Sequence, residues 1–262
     1  MNEKQVRFWN GNKSPTRRAY EQQLLSLCLS EGGLMDADIL VNENNYPDAE
    51  DEGNIFANAC DVLVSVAGNQ KFLGKHTTII DIPVCRGILG HRLLIIQKEH
   101  AERFSGISSL EQLQEMTIGI PETWADADLF RMNGFKVSEQ GHLEDIFTRL
   151  LARKFDYIAL GANEVEAIFD GLAGLNKKLI IEPNLLIYYP LPLVFYVHPD
   201  KYALARVIKN GLQVAIENGK HQCLFDAHHP NISQRLGLDE RQTFQLKNPY
   251  LPASFASFHP KL

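Results

Sequence analysis

The sequence predicts an α/β protein of two domains, each built on a mixed sheet, and three observations carry that reading. Strand runs alternate with helices from the start: Val6–Trp9, a helix after Ser14-Pro15, Ile39–Val41, and Asp61–Val66. A β-α-β-α-β order implies a parallel sheet with right-handed crossovers. At 262 residues the chain exceeds the common domain size of about 100–150 residues. Finally, at Pro83–Gly90 and Tyr189–Pro192 strands are joined through proline and glycine without a crossover helix. If the chain passes between domains at both places, residues 90–189 form one inserted domain, and residues 1–89 with 190–262 form the other. Such a double crossing makes a two-stranded hinge, because a few loop residues can absorb the backbone change of domain closure.

The elements follow in order. Ser14 is an N-cap and Pro15 takes the first helical position; Tyr20, Leu24, Leu27 and Cys28 mark the buried face. Gly32-Gly33 ends that helix. Residues 42–53 are polar, and the crowd of Asp48, Glu50, Asp51 and Glu52 lacks the spacing and glycine of a calcium loop, so it reads as solvated surface. Ile55–Ala59 is a short helix. Residues 68–76 imitate a phosphate loop, but the spacing is one residue too long, His76 stands where Ser or Thr would hold magnesium, and a strand follows instead of a helix. Thr78–Ile82 and His91–Gln97 are strands. Ser108-Ser109-Leu110-Glu111 opens a helix to Met116 as a capping box. Thr117–Ile120 is a strand, Thr123 caps a helix through Met132, and Phe135–Val137 is a strand.

The stretch Asp145–Gly171 is central. Leu143, Ile146, Phe147, Leu150 and Leu151 recur at helical spacing; Phe155–Leu160 is a strand; Gly161 breaks it; and Asn163 with Glu166 signals the N-cap of the next helix. Glu164 therefore stands at the carboxyl end of a strand, where ligands bind in open α/β sheets. Lys178–Ile181 and Leu185–Tyr189 are strands edged by proline, and Val194–Val197 is another. Asp200 caps a long helix with Leu204, Val207, Ile208, Leu212 and Ile216 on one face, ended by Gly219. Beyond Phe225 periodicity fades into an extended surface segment around 248–252.

Composition narrows the function. Hydrophobic residues make up 45% and charged residues 22%, an ordinary globular balance, and the net charge of −6 argues against a nucleic-acid partner. No apolar run approaches the roughly 20 residues needed to span a bilayer, so membrane insertion is not expected. Cys28, Cys60, Cys85 and Cys223 form no C-x-x-C pair and read as small buried hydrophobes. His221, His228 and His229 lack metal-ligand spacing. No metal or cofactor is expected, and no Gly-x-Ser-x-Gly, His-Glu-x-x-His or Gly-x-Gly-x-x-Gly motif points to catalysis.

Several segments together resemble one family. These are Arg86–Ile96, Ile118-Gly119-Ile120 leading into Thr123-Trp124-Ala125-Asp126, Asn133-Gly134-Phe135, Arg153–Tyr157, Gly161-Ala162-Asn163-Glu164, Gly211-Leu212, Asn218-Gly219 and Asn248-Pro249. The chain is similar over nearly its whole length to the periplasmic solute-binding proteins of the type II fold, specifically extracellular solute-binding protein family 3, the amino-acid-type receptors of ABC transporters. The resemblance implies a two-lobed fold with a ligand held between the lobes by hinge closure, ABC transporter membrane subunits as partners, a periplasmic location with the export segment removed (cytoplasmic if Met1 is the native start), and a monomer. Carried over by position, it implies ligand contacts from Asn10, Ser14, Arg86, Thr123, Trp124 and Glu164.

The chemistry of those residues fits. Free N–H groups at the helix starts near Ser14 and Thr123 suit a carboxylate, Arg86 offers a planar fork, Glu164 pairs with an ammonium, and Trp9, Trp124 or Tyr46 stack on an apolar or cationic group. The family's Ser/Thr-x-x-Arg carboxylate clamp is missing between Ser65 and Arg86, with Arg86 the nearest substitute. Plainer roles compete: helix caps for Thr123 and Asn163, a dipole partner for Glu164, a structural ion pair for Arg86, core packing for Trp124. Two other functions also stand. A cytoplasmic enzyme on the same fold would pair Glu164 with His91 or Asp126, and a sensory module would pass ligand binding to a partner protein.

Overall fold

A computed structural model describes residues 5–46, 48–173 and 177–261. The chain divides into two compact units. Residues 1–86, 192–231 and 250–258 form unit 1; residues 87–191, 232–249 and 259–262 form unit 2.

Unit 1 opens with β1 (Gln5–Trp9), α1 (Pro15–Glu31), β2 (Asp38–Asn42), α2 (Ala49–Gly53), β3 (Val62–Val66) and β4 (Thr78–Ile79). Unit 2 follows with β5 (His91–Gln97), α3 (Ala101–Ser105), α4 (Leu110–Gln114), β6 (Thr117–Ile120), α5 (Asp126–Met132), β7 (Lys136–Glu139), α6 (Ile146–Leu151), β8 (Tyr157–Gly161), α7 (Val165–Ile168) and β9 (Leu179–Tyr188). The chain returns to unit 1 for β10 (Leu193–Val197), α8 (Tyr202–Glu217) and α9 (Lys220–His228), then to unit 2 for α10 (Ile232–Leu236) and β11 (Gln242–Gln245).

Both sheets are mixed. The first runs β2-β1-β3-β10-β4, with β1 parallel to its neighbours and β10 antiparallel to β3 and β4. The second runs β11-β9-β5-β8-β6-β7, with β5 antiparallel to β9 and β8. β5 is buried at every position despite containing His91, Arg92 and Gln97.

In unit 1, Ser14 caps α1 by accepting from the Arg17 N–H, and Pro15 occupies the first turn. Tyr20, Leu24, Leu25, Cys28 and Leu29 face inward. α1 packs closely on α8: a Cβ at Gly211 would lie 1.7 Å from the Cys28 carbonyl oxygen, so no larger residue fits that approach. On α8, Ile208 and Leu212 are buried while Ile216 is 45% exposed, and Ala215 takes the inward position. A second cluster gathers Trp9, Ile55, Cys60, Leu63, Phe72, Val194, Tyr196 and Phe255.

The structure departs from sequence expectation in identifiable places. The two strands expected at 178–181 and 185–189 are one, β9. Its pairing with β5 shifts register between Leu93 and Ile95, and Pro183 sits exposed at the irregularity. The buried Glu182 carboxylate accepts from the Asn184 and Leu185 N–H groups there, satisfying donors that a regular ladder would have paired. Residues 232–249 belong with unit 2 because β11 adds in parallel to β9, a pairing invisible in four residues with a single buried side chain. The acidic residues at 50–52 form the first turn of α2, where carboxylates complement the helix dipole. The capping box of α4 is made by Ser109 with Gln112 in place of Glu111. α8 starts after Lys201 with no side-chain cap, and Thr78–Ile82 shortens to the two residues of β4. Cys28, Cys60 and Cys85 are buried and Cys223 is exposed, all as free thiols.

Candidate functional site

In unit 1 the loop from β1 to α1 is held by buried polar contacts. Asn10 is fully buried; its Nδ2 donates to the Arg18 carbonyl at 3.0 Å and its Oδ1 accepts from Lys13 Nζ at 3.2 Å. The Asn10 amide thus holds the loop. Ser14 is buried and spends its hydroxyl oxygen on the cap of α1. Trp9 is a core residue, with Nε1 donating to the Asn44 carbonyl at 2.9 Å and its ring 5.9 Å from half-buried Tyr46.

Beneath this loop lies a buried ion cluster. Glu21 is completely buried, with Lys13 Nζ at 2.6 Å on one oxygen and Arg17 at 2.8 Å on the other. Burial pulls the Lys13 ammonium below its ordinary pKa, and the Glu21 charge opposes that pull. The sequence reading passed over this cluster. The signal was a carboxylate at position 21 on the apolar face that includes Tyr20 and Leu24.

Arg86 occupies the end of the first segment of unit 1 in the left-handed region, with φ of 51°, followed by Gly87 with φ of 84°. Its guanidinium lies 5.1 Å over the Phe225 ring. Among the described residues no carboxylate forms an ion pair with it, which removes the structural-salt-bridge role. Its charge lowers the His221 pKa further than burial alone. His221 Nε2 meets the Val84 carbonyl at 3.0 Å, and Tyr20 donates its hydroxyl to the same oxygen. The His228 ring meets that of Tyr20 edge-on and the His229 ring lies tilted to it, each at 5.5 Å. Among the described residues no group of three or more His, Cys, Asp or Glu could hold a metal ion.

In unit 2 Thr123 has φ of 66°, a left-handed conformation that is a true outlier for a β-branched residue. It does not cap α5, which begins at Asp126 after Ala125 with no side-chain cap. Thr123 instead points its N–H at Glu139 Oε1, at 3.3 Å. Trp124 is half-buried and lines a cavity of about 10 Å³ with Gly119, Ile120, Asp126, Phe130 and Ile158, room for one water at most.

Asp126 belongs to a closed polar ring. Arg92 Nη2 donates to both Asp126 oxygens at 2.8 Å, Arg92 Nε donates to the Tyr189 hydroxyl at 2.8 Å, and that hydroxyl donates to Asp126 Oδ1 at 2.8 Å. All three residues are buried. Asp126 and Glu164 hold the Arg92 pKa above its ordinary value against desolvation, and burial raises that of Tyr189. Both Asp126 oxygens are thus engaged within this ring. Glu164 is 6% exposed and follows Asn163, whose Oδ1 accepts no hydrogen bond among the described residues. Glu164, not Asn163, precedes α7, and it makes no side-chain cap.

No protein-family profile matches the chain, and no curated protein sequence matches it. Solved structures do. An amino acid ABC transporter substrate-binding protein from Streptococcus pneumoniae bound to L-arginine superposes with a TM-score of 0.62 at 10% identity, covering 86% of this chain and 94% of that one. An arginine-specific periplasmic binding protein from Salmonella typhimurium gives 0.61 at 10% identity, covering 86% and 98%. A histidine kinase sensor domain described as similar to periplasmic binding proteins gives 0.61 at 12% identity, covering 86% and 96%. The chain has the type II solute-binding fold of these proteins.

Proposed function

We propose that this protein is a receptor that binds a small polar ligand carrying an amine or a carboxylate, without chemical turnover. The observation that carries the reading is Arg86: a half-buried guanidinium, held in an unfavourable backbone conformation, with no ion-pair partner among the described residues. Strain of this kind persists where surrounding structure enforces it and gathers at ligand clamps. In unit 1 Arg86 would take an anionic group, with Ser14 and Asn10 shaping the β1–α1 loop; in unit 2 Glu164 would take a cationic group, with Thr123 and Trp124 as further ligand contacts. Binding is expected to act through hinge closure, with the protein a periplasmic monomer serving ABC transporter membrane subunits. Among the described residues no helix is long and apolar enough to cross a membrane.

A sensory role is the second reading, favoured by the likeness to a kinase sensor domain. Co-purification with transporter membrane subunits supports the first, and with a membrane-bound kinase the second.

A thermal-shift screen of amino acids, small peptides, organic acids and amines tests the binding itself. A ligand should raise the melting temperature, and Arg86→Ala or Glu164→Ala should each remove most of its affinity while leaving the fold intact. Turnover of a compound with no binding-induced shift defeats the receptor reading; unchanged affinity in both variants defeats the placement.

A further inference from the structure

Five strands of unit 2 meet at one end of its sheet. β5 finishes at Gln97 opposite Leu179, where β9 begins; Tyr157 starts β8 opposite Ile96; and β6 and β7 begin side by side, Thr117 opposite Lys136. The connections at that end carry exposed cations. Two are arginines already held in ion pairs, Arg103 with Asp156 at 2.8 Å and Arg153 with Glu99 at 2.7 Å. The other five are lysines: Lys98, Lys136, Lys154, Lys177 and Lys178. The Lys98 N–H donates to the Lys178 carbonyl at 2.7 Å, and the Lys136 ammonium donates to the Glu115 carbonyl at 2.8 Å. Among the described residues of these connections only two further carboxylates, Glu102 and Glu115, face five lysines. This end is therefore positive by an excess of three charges, on a chain whose net charge is −6.

We infer that this end of unit 2 is a docking surface for an anionic phospholipid membrane, held by electrostatics without insertion. Residue type selects that partner. Lysine is a compact point charge on a flexible stem, which suits phosphates moving in a fluid headgroup layer. A protein partner would instead call for aromatic or unpaired arginine anchors at fixed positions. The apolar count agrees: no large apolar side chain is exposed at residues 97–104, 115–117, 133–136, 152–157 or 177–179. A protein hot spot and an inserting wedge both need one, whereas adsorption to charged headgroups does not. Distance keeps the negative charge elsewhere from cancelling the attraction. The seven residues of β5 span about 20 Å, roughly two Debye lengths at 0.1 M salt. β6 and β8 lead at their opposite ends to Thr123 and Glu164, so docking leaves that end of unit 2 facing away from the lipid. The inference goes beyond the receptor reading and does not depend on it.

Co-sedimentation of the intact protein with two kinds of vesicle tests it, phosphatidylcholine alone and phosphatidylcholine with an equal part of phosphatidylglycerol. Each lysine near an anionic surface strengthens binding about fivefold, so an excess of three predicts about hundredfold tighter adsorption to the mixed vesicles at low salt. That preference should vanish at about 0.5 M salt. The triple variant Lys98→Glu, Lys154→Glu, Lys177→Glu should weaken adsorption at least tenfold with unchanged thermal unfolding. A control with the same change in net charge on unit 1, Lys75→Glu, Arg206→Glu, Lys209→Glu, should keep it. Equal sedimentation with both vesicles, unchanged adsorption of the unit 2 variant, or an equal loss in the control overturns the inference. Capture by a poly-glutamate peptide without adsorption to the mixed vesicles also overturns it and assigns the surface to an acidic protein.

Discussion

The guanidinium of Arg92 meets both oxygens of Asp126 at 2.8 Å through a single nitrogen, deep in unit 2. Removing either partner strands the other charge in a buried setting, which costs about 3–5 kcal/mol. Asp126→Ala and Arg92→Ala should therefore each lower unfolding stability by that amount in urea titrations. Tyr189→Phe should cost less, about 1–2 kcal/mol, because it removes one hydrogen bond to each charged partner but leaves the ion pair. Equal losses in all three variants would show that the ring, and not the ion pair, is the unit of stability.

Glu21 poses the same problem in unit 1 with an asymmetry. It answers two cations, Lys13 and Arg17. Glu21→Ala leaves both without their shared carboxylate and should cost about 3–5 kcal/mol. Lys13→Met leaves Glu21 with Arg17 and removes an ammonium whose charge burial already disfavours. It should cost less than half as much. A Lys13→Met loss equal to that of Glu21→Ala in chemical denaturation would contradict this.

The strands were legible because their apolar runs are short, punctuated by glycine and proline, and joined by helices with one apolar face. The places that were not legible share a cause: a polar residue buried for a reason that only tertiary partners supply. Arg92 sits in a fully buried strand whose partners, Asp126 and Tyr189, are 34 and 97 residues away. Pro183 reads as a strand break, yet Glu182 bridges the irregularity and β9 continues. β11 has one buried residue and owes its existence to β9. Among the candidate site residues, Arg86, Thr123 and Trp124 are half-buried and Glu164 is buried. Asn10 turns inward, because its amide satisfies Lys13 and the Arg18 carbonyl.

Thr123 and Arg86 share a left-handed backbone, at φ of 66° and 51°. That conformation costs an L residue about 1–2 kcal/mol, and glycine adopts it freely. Thr123→Gly should therefore raise unfolding stability by about 1 kcal/mol, net of the extra chain entropy of glycine. Arg86→Gly should gain about as much, since it relieves the same left-handed strain. A loss of stability in Thr123→Gly, measured by thermal unfolding without ligand, would show that side-chain contacts outweigh the backbone strain.

Acid should destabilise the protein through His91 and His221. Burial lowers both pKa values, so the folded state favours neutral imidazole. The unfolded chain takes up protons near the ordinary histidine value of about 6.5. Stability from these groups is thus fully present above about pH 6.5 and is lost as the pH falls below it toward the folded values. Each histidine contributes up to about 1.4 kcal/mol per pH unit in that window. His221→Gln can keep a donor for the Val84 carbonyl while removing the titration. Between pH 6.5 and 5 its stability should fall less steeply than that of the wild type, and His91→Gln should behave alike. The carboxylates whose pKa values are lowered, such as Asp61 beside Arg7, lose their contribution only below about pH 4, outside the histidine window. Parallel slopes for wild type and His221→Gln in urea titrations across pH 5–8 would place the acid sensitivity elsewhere.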